Sequence, residues 1–206
     1  NVAFQNREGK QEYAYQTSWG MTTRIIGGII MTHGDNRGLK LPPNIAPIQV
    51  VIVPIAQQKE GVLEKVGELK AELSKKFSVE LDDRKEVTPG FKFNYWELRG
   101  VPVRVEIGPK DIENNQCIIF RRDTLEKETI SLDNLEQRIA ELMVEIQDNM
   151  LKAAQENLKN RTFTAHDFEE YKKIFAENEG FAKIMWCGDR ACEDKLKEEN
   201  STTIRC

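Results

Sequence analysis

Long apolar runs, cysteine and histidine are all scarce in this 206-residue sequence. No stretch approaches the roughly 18 apolar residues that a membrane-spanning helix needs, so no membrane association is predicted. The first residues, NVAFQNREGKQEYAY, lack the basic and then apolar layout of a signal peptide. Four cysteines are too few for a disulfide scaffold, which favours a reducing, cytoplasmic setting. Neither of the two histidines has a cysteine or serine partner at nucleophile–base spacing, so covalent catalysis has no support.

The composition nevertheless supports a folded chain. Hydrophobic residues make up 39% and charged residues 31%, which allows a buried core in roughly one or two domains. The formal net charge of -4 argues against a protein that simply coats nucleic acid or an anionic membrane. A local basic site remains compatible with that total.

Residues 1–45 are predicted to be the last piece of a larger sheet. Two strand-like stretches, Glu12 to Trp19 and Arg24 to His33, precede a turn-rich segment and the breaker pair Pro42-Pro43. About 40 residues without a helix cannot build a core of their own, so the rest of that sheet is expected to be absent or removed.

Residues 46–132 alternate between the periods of strands and helices. Strands are predicted at Ile48–Ile55, Phe77–Leu81, Val101–Ile107, Cys117–Phe120 and Glu128–Leu132, with helices over Gly61–Lys76 and Phe91–Leu98. In the third strand the valines share one face, and Arg104 and Glu106 share the other. This order predicts an α/β layer with parallel crossovers.

The remaining sequence predicts a long helix and a small third unit. Apolar residues recur at three- and four-residue spacing over residues 132–160, which is typical of a helix that covers a sheet. Beyond it, a charged helix is predicted at Phe163–Asn178, a strand at Gly180–Trp186 and a helical piece at Glu193–Glu199. This unit has no clear core, so it should pack on its neighbours or hold a metal ion.

The most informative string runs from Gln16 to Gly27, QTSWGMTTRIIG. An arginine after small hydroxyl residues can meet triphosphate oxygens or stack on adenine, and a tryptophan followed by glycine makes a flat wall for a small ring. The alternative is a core tryptophan and a solvated arginine. The string resembles the third signature motif of class II aminoacyl-tRNA synthetases, in the form found in prolyl-tRNA synthetases. The next segment, HGDNRGLKLPPNIAP over residues 33–47, resembles the linker that follows that family's catalytic domain.

This resemblance implies a site for ATP and L-proline. Arg24 would be the catalytic residue and would bind ATP, and Mg2+ would help to neutralise the phosphates. The ATP-binding residues that the resemblance implies are Gln16, Thr22, Thr23 and Arg24, and the proline-binding residues are Ser18, Trp19 and Gly20.

A second string lies at Asp83-Arg84 and then over residues 89–111, PGFKFNYWELRGVPVRVEIGPKD. It is similar to the anticodon-binding domain that the prolyl, threonyl, histidyl and glycyl enzymes share. The proline anticodon has two central guanines, which arginine or lysine donors and carboxylate acceptors can read. The implied anticodon-binding residues are Glu97, Arg104 and Lys110, with Asp111 and Lys127 as weaker candidates. The alternative for each is a solvated edge charge or an ion pair that contributes little.

A third feature, Cys187 and Cys192 in CGDRAC, supplies half of a tetrahedral zinc site. It resembles the C-terminal domain of archaeal and eukaryotic prolyl-tRNA synthetases, where a second cysteine pair completes a Zn2+ site. That second pair is missing here, and Cys206 matches a position just before it. The pair is therefore a weak, incomplete metal site, with reduced structural thiols as the alternative.

Together these observations predict an α/β chain in three parts. Residues 1–45 would be the C-terminal edge of a class II antiparallel catalytic sheet, residues 46–150 a mixed five-stranded anticodon-binding domain, and residues 151–206 an incomplete α+β zinc-binding-like domain. The predicted function is ATP-dependent attachment of L-proline to proline tRNA through a prolyl-adenylate, by an enzyme expected to be a homodimer. The chain alone should not be a catalyst, because the first two class II motifs do not occur in it.

Two alternatives remain open. One is a non-catalytic anticodon-binding or tRNA-binding accessory module, which would give no role to residues 16–24. The other is a related class II synthetase of the threonyl type, against which the strings around Trp19 and Trp96 argue.

Overall fold

A five-stranded mixed sheet organises the middle of the chain. The structure is a computed structural model that describes residues 2–204, apart from the side chains of residues 199 and 200, so Cys206 lies outside the described residues. In chain order the elements are β1 (Ala3–Gln5), β2 (Gln11–Tyr13), α1 (Arg24–His33), β3 (Val50–Pro54), α2 (Val62–Leu73), β4 (Val79–Leu81), α3 (Pro89–Leu98), β5 (Val103–Ile107), α4 (Pro109–Glu113), β6 (Gln116–Arg121), β7 (Lys127–Ser131), α5 (Leu135–Asn160), β8 (Thr162–Thr164), α6 (Phe168–Glu177), β9 (Phe181–Lys183) and α7 (Arg190–Asn200).

The sheet has the order β4-β3-β5-β6-β7. Strand β3 is parallel to both β4 and β5, whereas β5, β6 and β7 pair antiparallel. The predicted parallel crossovers are confirmed for the first three strands, and the last two return as hairpins. All five residues of β3 are buried, as expected for an apolar run covered on both faces.

Helices cover the two faces of this sheet differently. On one face, α2 and α5 pack on the alternate side chains of β5 in a large apolar core that includes Val66, Ile139 and Leu142. On the other face, α3 packs through Trp96 on a smaller apolar cluster with Val51 and Val53. The predicted separation of apolar from charged residues is therefore confirmed for Val103, Val105 and Ile107, whereas Val101 precedes β5 and packs in the smaller cluster.

The N-terminal segment differs from the prediction at Arg24–His33, which is helix α1 and not a strand. The β-branched isoleucines favoured a strand, but Ile25 and Ile29 stand four residues apart, as Ile26 and Ile30 do, and this spacing matches one turn of helix. The strand predicted at Glu12–Trp19 is also shorter, because β2 ends at Tyr13 and pairs antiparallel with β1. An antiparallel hairpin is thus present, and its membership of a larger catalytic sheet stays a prediction.

Contrary to the prediction of no clear core, the C-terminal unit builds a small core of its own around Ala165, Tyr171 and Leu196. Its strands β8 and β9 pair in parallel, and α6 begins only at Phe168, where the side chain of Asp167 caps the helix. Helix α5 runs through the predicted domain boundary at residue 150 without a break, so the exact boundary stays a prediction. Within residues 2–204, every helix is too short or too polar to cross a membrane.

Candidate nucleic-acid interface

A cluster of charged side chains lies on the α3 side of strand β5. The guanidinium of Arg104 donates from Nη1 to Oε1 of Glu97 at 3.0 Å. It also donates from Nε and Nη2 to Oε1 of Glu106, at 3.0 and 2.9 Å. All three residues are less than a tenth exposed, so their charges are almost fully removed from water. Such a group holds together because each charge has a hydrogen-bonded partner of opposite sign.

Two aromatic rings enclose the same guanidinium. The Cζ of Arg104 lies 4.1 Å from the ring centre of Phe93 on α3 and 4.1 Å from that of Phe120 on β6. Phe120 is the cross-strand partner of Arg104, so the sheet register itself places one of the rings. A planar arginine between two rings is fixed in orientation as well as in position.

Two further cations, which are exposed to solvent, lie on the outer side of the cluster. The Nζ of Lys127 lies 2.9 Å from Oε2 of Glu106, and Nη1 of Arg37 lies 3.3 Å from Oε2 of Glu97. Their side chains are 49% and 58% exposed, whereas the carboxylates they contact are 8% and 9% exposed. Each carboxylate therefore has one oxygen held inside by Arg104 and one oxygen near solvent that contacts a rim cation.

An open cavity of about 420 Å³ adjoins this rim. It is lined by Arg37, Asn94, Glu97 and Leu98. The walls thus offer a guanidinium, an amide and a carboxylate to the same cavity. Groups of these types can donate to and accept from the edge of a nucleobase.

The structure divides the residues that the sequence proposed for anticodon contact into two groups. It brings Glu97, Arg104 and Lys127 into one cluster. Lys110, in contrast, is exposed on α4, and no contact joins it to that cluster in the described part of the chain. Asp111 accepts a hydrogen bond from the backbone N–H of Gly108 at 2.8 Å and so caps α4.

Arg104 also departs from the sequence-based expectation of a free donor. Its side chain is 4% exposed, and its nitrogens already donate to the two carboxylates. In this structure Arg104 therefore positions Glu97 and Glu106 rather than facing solvent. Sequence reasoning missed Glu106 and Arg37 as members of the cluster, although the two-residue spacing of Arg104 and Glu106 on one strand face could have indicated the first.

The basic pair Arg121-Arg122 is engaged in ion pairs. Arg122 is 1% exposed and donates to Asp35 through two nitrogens, at 2.8 and 2.6 Å. The side-chain hydrogen bonds from Arg122 hold the pKa of Asp35 well below its usual range. Arg121 pairs with Asp123 and Glu145. Both side chains of this pair are thus engaged in ion pairs within the described structure.

A separate polar network fixes α3 on the sheet. The carboxylate of Asp82 accepts from Nε1 of Trp96 at 2.8 Å and from Arg84 at 2.8 and 2.7 Å. Burial raises the pKa of Asp82, but the hydrogen bonds from Arg84 and Trp96 outweigh it, and the net pKa is lowered. Burial likewise lowers the pKa of Lys92, whose Nζ donates to the backbone oxygen of Asp82. The helix that carries Glu97 is therefore anchored at its inner side.

The residues proposed for ATP and proline lie on an exposed stretch before α1. Arg24 is the first residue of the helix, and Trp19 is 95% exposed. A side chain added at Gly20 would meet no atom within 4 Å. The described residues do not enclose these groups in a pocket, so their roles stay predictions.

The two cysteines of the predicted half-site are neighbours, with their Sγ atoms 3.1 Å apart. The contact between the two thiols lowers the pKa of Cys187 and raises the pKa of Cys192. A tetrahedral zinc site needs four ligands. Among residues 2–204 no group of three or more histidine, cysteine or acidic side chains could hold a metal ion, so the pair fits half of such a site.

Comparisons with known proteins agree with this geometry. Residues 49–142 match a family model described as an anticodon binding domain, and residues 168–206 match one described as prolyl-tRNA synthetase, C-terminal. The whole chain is 54% identical to a proline–tRNA ligase of Alkaliphilus oremlandii and 53% identical to proline–tRNA ligase 2 of Clostridioides difficile. It covers 43% of the length of each of these curated relatives.

These matches bear on two of the expectations from sequence. The relatives and the C-terminal model name prolyl enzymes, which favours the prolyl over the threonyl alternative. The archaeal and eukaryotic type stays a prediction. The chain belongs to the prolyl-tRNA synthetase family, and it corresponds to the portion that carries the anticodon-binding and C-terminal domains.

Proposed function

We propose that this chain reads the anticodon of a proline tRNA for an enzyme that attaches L-proline to that tRNA. The observation that carries the proposal is the charged cluster beside the open cavity at Glu97. Replacing a buried ion pair by apolar residues is often neutral or stabilising, so a cluster of this kind is weakly explained by stability alone. Recognition of a polar edge accounts for it better.

The chemistry of guanine fits the groups available. Its N1–H and N2–H2 are donors for a carboxylate, and its O6 and N7 are acceptors for arginine or lysine. Glu97 lines the cavity, and the rim cations Arg37 and Lys127 lie on the solvent side of the cluster. Arg104 would act from the buried side of the cluster, where it keeps the carboxylates of Glu97 and Glu106 charged and in place.

The test is binding of fluorescent RNA hairpins to this chain. One hairpin carries the proline anticodon loop, and a second carries adenines at the two central positions. The wild-type chain should prefer the first hairpin by roughly 10-fold or more, because each good base contact contributes about 1–3 kcal/mol of discrimination. Glu97→Gln should lose most of this preference, since an amide presents a donor where the guanine needs an acceptor.

Glu80→Gln is the matched control, because Glu80 is an exposed residue on the edge strand β4, away from the cluster. It should leave the preference unchanged. Equal binding of both hairpins by the wild-type chain would refute anticodon recognition. A preference that survives Glu97→Gln would mean that other groups read the bases.

The same proposal extends to the complete enzyme. There, Arg24, Thr22, Thr23 and Gln16 would bind ATP, and Ser18, Trp19 and Gly20 would shape the proline pocket; the support is that these side chains are exposed and available to a partner domain. Mg2+ would arrive with ATP, and this chain assigns no ligand to it. Zn2+ would need two further ligands beside Cys187 and Cys192, and the complete enzyme would be a homodimer.

Substitution of Arg24 tests the proposed role in catalysis. In the full-length protein, Arg24→Ala should lower proline-dependent ATP–pyrophosphate exchange by roughly 100-fold or more, as loss of an electrostatic contact to a reacting phosphate does. Arg7→Ala, in the turn of the β1–β2 hairpin, is the control and should not change the rate. An unchanged rate for Arg24→Ala would favour the accessory-module alternative.

A further inference from the structure

Both oxygens of the Glu97 carboxylate are engaged, and they are engaged by different parts of the chain. Arg104, on the central strand β5, donates to Oε1 at 3.0 Å. Arg37, which lies far earlier in the sequence, donates to Oε2 at 3.3 Å. The first residue is buried and the second is exposed. Oε2 therefore takes its orientation from Arg37, and Arg37 and Glu97 both line the cavity.

A tight turn fixes the position of Arg37. The backbone N–H of Arg37 donates to Oδ1 of Asp35 at 2.8 Å, and Asp35 in turn forms the paired hydrogen bonds with Arg122. Arg122 also donates from Nε to the backbone oxygen of Glu97 at 3.0 Å. The turn that carries Arg37 is thus connected to the main chain of the same glutamate whose side chain Arg37 contacts.

This turn lies so close to α3 that position 38 has almost no freedom in conformation or in residue type. Gly38 has a φ of 127°, and a Cβ built there would lie 2.6 Å from the Cα of Leu98. The next N–H, that of Leu39, donates to the backbone oxygen of Leu98 at 3.0 Å. A residue with a side chain would be excluded at position 38 by both the conformation and the contact. Arg37 is therefore held at a set distance from the end of α3.

A carboxylate reads the N1–H and N2–H2 of guanine well when its plane matches the plane of the base. A single contact at Oε1 would let the group rotate about its last bond, and the second contact at Oε2 opposes that rotation. From this arrangement we infer that Arg37 is a specificity-determining residue, which orients Glu97 for a guanine base in the adjoining cavity. The inference rests on the proposed function.

Inosine provides the sharp test, because it is guanosine without the N2 amino group. The probes are RNA hairpins with the proline anticodon loop, carrying guanine or inosine at each central position in turn. For the wild-type chain, guanine should be preferred over inosine by roughly 10-fold at one position, as expected for one lost hydrogen bond to a charged group. In Arg37→Ala this preference should fall to roughly threefold or less, and Arg37→Lys should restore part of it.

Arg138→Ala is the matched control. Arg138 also pairs with a glutamate, Glu145, at 2.7 Å, but it lies on α5, which covers the opposite face of the sheet. The Arg138→Ala substitution removes the same charge as Arg37→Ala, and this variant should keep the guanine-to-inosine ratio of the wild-type chain. Thermal unfolding of Arg37→Ala should match that of the wild type, since Arg37 is mostly exposed.

The outcomes separate this inference from the proposed function. A wild-type chain that does not distinguish guanine from adenine hairpins would refute the proposed function, and the inference with it. A wild-type chain that prefers guanine, together with an Arg37→Ala variant that keeps the full guanine-to-inosine ratio, would refute the inference alone. Uniformly weaker binding of every hairpin by Arg37→Ala would also refute it, because that result indicates a phosphate contact.

Discussion

The two faces of the central sheet are built from the same strands, but one face is apolar and the other carries charged side chains. Strand β5 gives Val103, Val105 and Ile107 to the core under α2 and α5, and it gives Arg104 and Glu106 to the side under α3. Both sets are buried. The first face stabilises the fold by removing apolar surface from water, whereas the second holds charges that need their partners. Burial alone therefore does not indicate whether a residue of this sheet serves stability or recognition.

The largest effect is expected on the charged face. Arg104→Ala would leave Glu97 and Glu106 buried without their shared partner, which costs about 3–5 kcal/mol when a buried pair is broken. Urea unfolding would measure it. Replacing all three residues by leucine should restore most of the stability and abolish hairpin discrimination. A triple variant less stable than Arg104→Ala would contradict the view that these charges are kept for recognition.

On the apolar face, Ile139→Ala should cost about 2–5 kcal/mol, because it leaves a cavity in the core. Ile139 is fully buried in the cluster between α5 and the sheet. Hairpin discrimination by the folded molecules should remain unchanged. Val144→Ala, on the exposed side of the same helix, should alter the free energy of unfolding by no more than about 0.5 kcal/mol. A change in discrimination for Ile139→Ala would show that the two faces are not separable.

Asp35→Asn should lower the free energy of unfolding by about 1.5–3 kcal/mol at neutral pH, since a neutral amide accepts more weakly from the buried Arg122. The pKa of Asp35 is lowered in the folded state, so its contribution is fully present above the unfolded pKa of about 4. The contribution declines as the pH falls below that value and is lost once the pH passes the folded pKa. Unfolding of both proteins between pH 7 and pH 3 would measure it. A difference that grows on acidification would refute the ion pair.

The smallest effect concerns the start of α3. The side chain of Thr88 accepts a hydrogen bond from the backbone N–H of Phe91, and Pro89 occupies the first turn. Thr88→Ala should lower the free energy of unfolding by about 1 kcal/mol, whereas Thr88→Ser should keep most of it. Because α3 presents Glu97 to the cavity, we also expect slightly weaker hairpin binding for the alanine variant. No change in unfolding would mean that Pro89 alone fixes the helix start.

Much of this fold followed from periodicity, and the failures have physical reasons. The sheet strands and α5 were predictable because their apolar repeats are long and bury one or both faces. Helix α1 was not, because a run of isoleucines favours a strand locally and its apolar side chains remain exposed in this chain. At the site, Glu97 and Arg104 came from a resemblance, while Arg37 depends on a contact across 60 residues of sequence. No local pattern encodes that contact.

Helix α5 connects the central sheet to the cysteine-bearing C-terminal unit, and its length has a mechanical consequence. Its 26 residues span about 39 Å, and its first half forms part of the sheet core while strand β8 follows its last turn almost directly. The helix contains no proline and no glycine that would allow a bend. A tilt of the sheet layer would therefore be transmitted along this helix and enlarged at its far end, so the cysteine-bearing unit should move together with the sheet.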